Sequence, residues 1–128
     1  MSRRVLSDRS GNAAIEFALL FPALAVALLG LIQGSELLWL RNTLKYSTEE
    51  AGRFAMGTPT ASAAQIISVA KQKLPGIDPK TVTVTTATDA SGGVNFVTIT
   101  ASLDVKLLEI MPQTGLTLSA YSRVPLPQ

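Results

Sequence analysis

Residues 11–35 read GNAAIEFALLFPALAVALLGLIQGS. Between Ala13 and Gly34, 17 of 22 residues are hydrophobic, and the run from Phe17 to Ser35 contains no charged residue. A helix of this length measures about 30 Å, which matches the hydrocarbon thickness of a bilayer. A core helix of a soluble domain would show a polar face, but here apolar side chains fall on every side. The stretch therefore predicts a transmembrane helix over 12–35.

The composition argues against catalysis. The 128-residue chain has 11 basic and 9 acidic residues, no Cys and no His. Without Cys there is no disulfide or thiolate metal site, and without His the usual general base and the commonest metal ligand are missing. No two carboxylates have a spacing that would aim both at one metal or substrate. We therefore expect no enzyme, no catalytic or metal residues, no cofactor and no small-molecule substrate.

Glu16 and Pro22 interrupt the apolar stretch. A carboxylate in hydrocarbon costs about 3 kcal/mol at a helix centre and less near an end. Glu16 therefore either has a partner or reaches the headgroups at the helix start, where the helix dipole also favours it. Pro22 removes one backbone hydrogen bond and predicts a kink or a melted turn between Ala18 and Pro22. Membrane helices also tolerate proline, so Pro22 need not distort the helix. Glu16 and Pro22 thus each keep two interpretations.

A basic leader, MSRRVLSDRSG over residues 1–11, precedes the apolar stretch, and Glu16 lies five residues after Gly11. This layout resembles the type IV prepilin cleavage motif, in which a membrane aspartyl peptidase cuts after the glycine. The resemblance implies cleavage between Gly11 and Asn12, with Glu16 fifth and Phe17 sixth in the mature chain. A small, flexible Gly in an extended leader suits a peptidase site. The new Asn12 amine could then pair with the Glu16 carboxylate in its own or a neighbouring subunit.

Two other targeting signals fit less well. Residues 2–4 (SRR) partly match a twin-arginine signal, but Glu16 would interrupt its apolar region. The small residues over 23–27 look like signal-peptidase sites, yet cleavage there would leave a strongly apolar new end. Basic residues also flank both ends of the apolar stretch, so the positive-inside bias is slight. A cytoplasmic N-terminus therefore follows from the prepilin resemblance.

The remainder, 36–128, predicts an exported α+β domain. A continuing helix over 36–57 is indicated by apolar residues at spacings of three, four and seven, and Trp39 could anchor it at the interface or pack in the domain. A capping box at Ser62 and Gln65 starts a short helix over 62–74. Alternating patterns predict three antiparallel strands over about 81–88, 94–107 and 116–124, with a hairpin turn at Asp89–Gly93.

Three segments together look like the TadE-like family: RSGNAAIEFALLFP over 9–22, EAGRFAM over 50–56, and LTLSA over 116–120. TadE-like proteins are small pilin-like components of tight-adherence (Tad) pilus systems. The resemblance implies a pilin-like fold, processing by a prepilin peptidase, and a minor-pilin or pseudopilin role in Tad pilus assembly or secretion. Its implied partners are the membrane, the peptidase, other pilins and Tad assembly proteins.

The implied location is the bacterial inner membrane, with a single pass, a cytoplasmic N-terminus and a periplasmic C-terminal domain. Removal of residues 1–11 would lower the formal net charge from +2 to zero, so the basicity does not indicate nucleic-acid binding. The alternative is an uncleaved single-pass anchor that displays a small protein-binding module.

Overall fold

The computed structural model describes residues 9–106 and 115–127. It contains two helices and one three-stranded sheet: α1 (Arg9–Gly57), α2 (Ala63–Gln72), β1 (Val82–Ser91), β2 (Val94–Lys106) and β3 (Gly115–Pro125). The strands pair antiparallel in the order β1-β2-β3. The predicted α+β class, with a long apolar N-terminal helix, a short second helix and three antiparallel strands, is confirmed.

The chain divides into two compact units, which we call the N-terminal unit (Met1–Glu36) and the C-terminal unit (Leu37–Gln128). The first contains the apolar part of α1. The second contains the rest of α1, together with α2 and the sheet.

Helix α1 begins earlier than the sequence predicted. Residues 9–11, which we expected in an extended leader, are helical, and residues 1–8 of that leader lie outside the described residues. Once a helix exists, each added residue costs little, so the helix over Ala13 and Ala14 extends back to Arg9. The helix also continues through Pro22, so the melted-turn interpretation is wrong. A kink at Pro22 stays a prediction.

Helix α2 begins with the predicted capping box. The Ser62 hydroxyl accepts a hydrogen bond from the backbone N–H of Gln65 at 3.3 Å, and the Gln65 side chain accepts one from the N–H of Ser62 at 2.9 Å. The helix is shorter than the predicted 62–74, because Lys73 is already its C-cap. Leu74 follows the helix and is buried.

The hairpin turn is tighter than predicted. We expected Asp89–Gly93 to form the turn, but Asp89, Ala90 and Ser91 belong to β1 and pair with β2. Gly92 and Gly93 alone reverse the chain, with φ of 60° and 80°. Left-handed backbone at both central residues is what a two-residue hairpin turn of the right twist requires. Strands β2 and β3 also differ slightly from their predicted bounds, and residue 107 lies outside the described residues.

One face of the sheet packs against α1 and α2. Along β2, every second residue from Val97 to Leu103 is buried, as period-two alternation predicts. The core also takes residues from both helices and from β1: Leu40, Leu44, Ala51, Ala55, Ile66, Ala70, Leu74, Val82 and Val84.

Trp39 takes part in this packing. Its ring lies against the loop after α2, where a Cβ at Gly76 would come within 3.0 Å of the indole. Gly76 also has a positive φ of 75°. Trp39 therefore packs against the domain, and its remaining 47% exposure leaves the interfacial-anchor role a prediction.

The outer face of the sheet carries one cluster that joins all three strands. The Arg123 guanidinium on β3 forms an ion pair with Asp89 on β1 and lies 4.1 Å from the ring centroid of Phe96 on β2. Both charged side chains are partly exposed, so the pair contributes little free energy by itself.

Small residues on α1 let the helix approach the sheet closely. The buried Ser47 and Thr48 donate to the carbonyls of Leu44 and Lys45 at 2.8 Å, so neither hydroxyl is left without a partner. At Gly52 a Cβ would lie 3.0 Å from a methyl of Val124 and 3.3 Å from the Ser122 hydroxyl. Gly52 is therefore the point of closest approach between α1 and β3 among the helical glycines.

We expect Gly52→Leu to lower the free energy of unfolding of the C-terminal unit by about 1–3 kcal/mol, because overpacking forces α1 away from β3. Gly57→Leu is the matched control, since nothing lies within 4 Å of a Cβ there. Urea unfolding of the full chain in detergent micelles, followed by near-ultraviolet circular dichroism, measures both. Equal stability of the two variants would contradict the close contact.

Candidate functional site

The apolar part of α1 is uncovered. All of its large hydrophobic side chains are at least half exposed: Ile15, Phe17, Leu19, Leu20, Phe21, Leu24, Val26, Leu28, Leu29, Leu31 and Ile32. None of the most apolar 18-residue window is buried within the described part of the chain. A core helix would be covered by its own domain, so that alternative does not fit. The helix is long and apolar enough to cross a membrane.

Glu16 lies near the start of this apolar surface, one helical turn after Asn12. The Asn12 side-chain amide donates a hydrogen bond to Glu16 Oε1 at 3.2 Å, and both side chains are exposed. Within the described residues, Glu16 forms no ion pair. Its carboxylate is therefore held by a neutral donor of its own chain.

The predicted processing bond, between Gly11 and Asn12, lies within the helical residues that the structure describes. Gly in a helix costs about 1 kcal/mol relative to Ala, so Gly11 weakens the helix locally. A peptidase that takes an extended substrate would have to unwind the residues on both sides of this bond.

Phe17 packs along the helix rather than toward the carboxylate. Its ring centroid lies 5.6 Å from that of Phe21, with the ring planes inclined by 36°. Sequence reasoning missed this pair, although residues four apart on a helix are neighbours. Pro22 follows directly after it, inside the helix.

The structure thus brings Asn12 and Glu16 into contact and pairs Phe17 with Phe21. Among the described residues, no three Asp or Glu side chains lie close enough together to hold a metal ion.

A second feature, which sequence reasoning missed, is a groove in the C-terminal unit between α1 and β3. Its volume is about 460 Å³, and its lining residues are Leu38, Arg41, Asn42, Lys45, Ser119, Ala120 and Tyr121. The two walls are more than 70 residues apart along the chain, so no local pattern in the sequence reveals them.

Residues 11–53 match the family model described as TadE-like protein. The match begins at Gly11, includes Glu16, Phe17 and Pro22, and ends one residue after Gly52. It covers about a third of the chain and confirms the family resemblance there, which indicates a Tad pilus-related component. No curated protein and no solved structure matches the chain.

We expect the full chain to stay in the membrane pellet after alkaline carbonate washing. Leu24→Arg combined with Leu28→Arg should release it, because each arginine costs about 3 kcal/mol near the centre of a spanning helix. Met56→Arg, on the C-terminal part of α1, is the control and should stay in the pellet. If the double variant remained as firmly bound as the parent, the spanning role would be wrong.

Proposed function

We propose that this chain is a minor-pilin or pseudopilin-like structural component of a Tad pilus or secretion apparatus, matured by a prepilin peptidase between Gly11 and Asn12. The observation that carries the proposal is the uncovered apolar helix with Glu16 near its start. Both lie inside the segment that matches the TadE-like family.

In this proposal, the uncovered apolar surface of α1 is covered first by lipid and then by neighbouring subunits. Apolar side chains gain about 25 cal/mol for each Å² removed from water, and the described residues of the chain provide no cover for residues 15–32. Lipid covers them in the membrane. In an assembly, the equivalent helices of neighbouring subunits would cover them in turn.

Glu16 supplies a reason for assembly to follow cleavage. The hydrogen bond from Asn12 contributes about 1 kcal/mol, which is less than the cost of placing a carboxylate in hydrocarbon. Cleavage creates a cationic amine at Asn12. That amine, in the same or a neighbouring subunit, is a stronger partner for Glu16 than the neutral amide.

The proposed placement is a single pass through the bacterial inner membrane, with residues 1–11 in the cytoplasm and the α+β domain in the periplasm. The prepilin resemblance supports this orientation, whereas basic residues near both ends of the apolar stretch give only a slight positive-inside bias.

The second candidate is an uncleaved anchor that displays a binding module. It uses the same helix, and the groove between α1 and β3 favours it because an anchored domain needs a surface for a partner. It differs in needing neither the peptidase nor Gly11.

Co-expression with a prepilin peptidase should yield a membrane protein whose first residue is Asn12, as intact-mass spectrometry can show. Gly11→Arg should block this cleavage and abolish function, because the peptidase site accepts only a small residue at that position. Detection of Met1 species alone, with Gly11→Arg fully functional, would favour the uncleaved anchor.

Glu16→Ala should leave cleavage intact but reduce incorporation into sheared pili, because the apolar helix loses its charge partner. Glu36→Ala is the matched control: it removes the same charge at the other end of the apolar stretch and should incorporate normally. Quantitative immunoblotting of the pilus and membrane fractions compares them. Normal incorporation of the Glu16 variant would mean that the carboxylate only reaches the headgroups.

A further inference from the structure

Strand β3 has an open edge. It pairs with β2 on one side, and no described element pairs with it on the other. The opposite edge strand, β1, is in contact with α2. In an edge strand, every second residue directs its N–H and C=O away from the sheet, where they can pair with another chain.

The groove described above lies beside this open edge. Helix α1 comes close to β3 at Gly52, where an added Cβ would lie 3.0 Å from a methyl of Val124. Towards Leu38 the two elements leave the groove of about 460 Å³, bounded by one helix face and by Ser119–Tyr121. Leu38 and Tyr121 are 62% and 71% exposed, so the groove also offers uncovered apolar surface.

The charge of the groove is positive. Arg41 and Lys45 line it, and no carboxylate does. Among the described residues Arg41 forms no ion pair, and the Lys45 ammonium lies 3.8 Å from the Glu49 carboxylate on its own helix. An acidic side chain placed in the groove would therefore meet at least one cation, Arg41, that has no ion-pair partner among the described residues.

We propose that β3 binds an extended, acidic peptide segment of another protein by strand addition. The backbone of the segment pairs with the open edge of β3, its acidic side chains face Arg41 and Lys45, and its apolar side chains contact Leu38 and Tyr121. A second copy of this chain fits less well. Antiparallel pairing of two β3 strands would place both copies' basic side chains on the same face of one sheet, where like charges repel.

The test uses the full chain in detergent micelles and a labelled peptide that alternates Val and Thr and carries two Glu. At about ten residues, the upper end of usual strand lengths, the peptide can pair along most of β3. Fluorescence anisotropy measures its binding, with the same peptide carrying Lys in place of Glu as control. We expect the Glu peptide to bind about tenfold more tightly, and Arg41→Gln with Lys45→Gln to remove that difference. Lys73→Gln with Lys80→Gln changes the net charge equally, outside the groove, and should leave binding unchanged.

Two single variants, Ser119→Pro and Ala120→Pro, test how much backbone pairing with β3 contributes to peptide binding. Because neighbouring residues direct their N–H groups to opposite sides, one proline removes a hydrogen bond to β2 and the other removes only an open donor. Circular dichroism identifies the variant that keeps the fold. That variant should lose binding of the Glu peptide.

Five results would overturn the proposal. In three of them the Glu peptide does not bind, the Glu and Lys peptides bind equally, or the folded proline variant binds normally. The other two reveal a different occupant. Binding to phosphatidylglycerol vesicles that depends on Arg41 and Lys45, without peptide binding, would assign the cations to lipid headgroups, and sedimentation of a dimer that the proline variant abolishes would assign the edge to a second copy.

Discussion

The hydrophobic effect on one helix surface determines which surroundings this protein needs. Residues 15–32 of α1 present apolar side chains in every direction, and the described part of the chain covers none of them. Such a surface is unstable in water, so lipid or other helices have to supply what the chain does not. A single carboxylate near its start is costly in such surroundings, and in the proposed function the need to pair that carboxylate would link membrane insertion to assembly.

The core of the C-terminal unit consists mostly of Leu, Ile and Val, but the part that α1 supplies mixes Leu with small residues. The buried face of α1 contains Leu, Ser, Thr and Ala, and the helix comes close to β3 at Gly52. The buried hydroxyls of Ser47 and Thr48 cause no penalty because they bond to carbonyls of their own helix.

Features that depend on neighbours along the chain were predictable. The spanning length, the capping box at Ser62 and the alternation in β2 all follow from spacings of a few residues, and the structure contains the corresponding elements. Features that depend on cooperativity or on distant segments were not. The extension of α1 back to Arg9 reflects propagation of an existing helix, and the continuation of β1 to Ser91 requires that two glycines complete the turn. The groove joins α1 to β3, and only the folded chain brings them together.

The cluster of Asp89, Phe96 and Arg123 bears on how the strands find their alignment. The outer face of the sheet is rich in Thr and Ser, and such residues accept a shifted alignment almost as readily as the correct one. A shift of two residues keeps every apolar side chain on the inner face, so the core does not forbid it by polarity alone. The cluster does distinguish the two, because a shift of β3 separates the guanidinium from both the ring and the carboxylate, and a shift of β1 separates it from the carboxylate. A contact that contributes little to the free energy of unfolding can therefore still favour the native register of the strands.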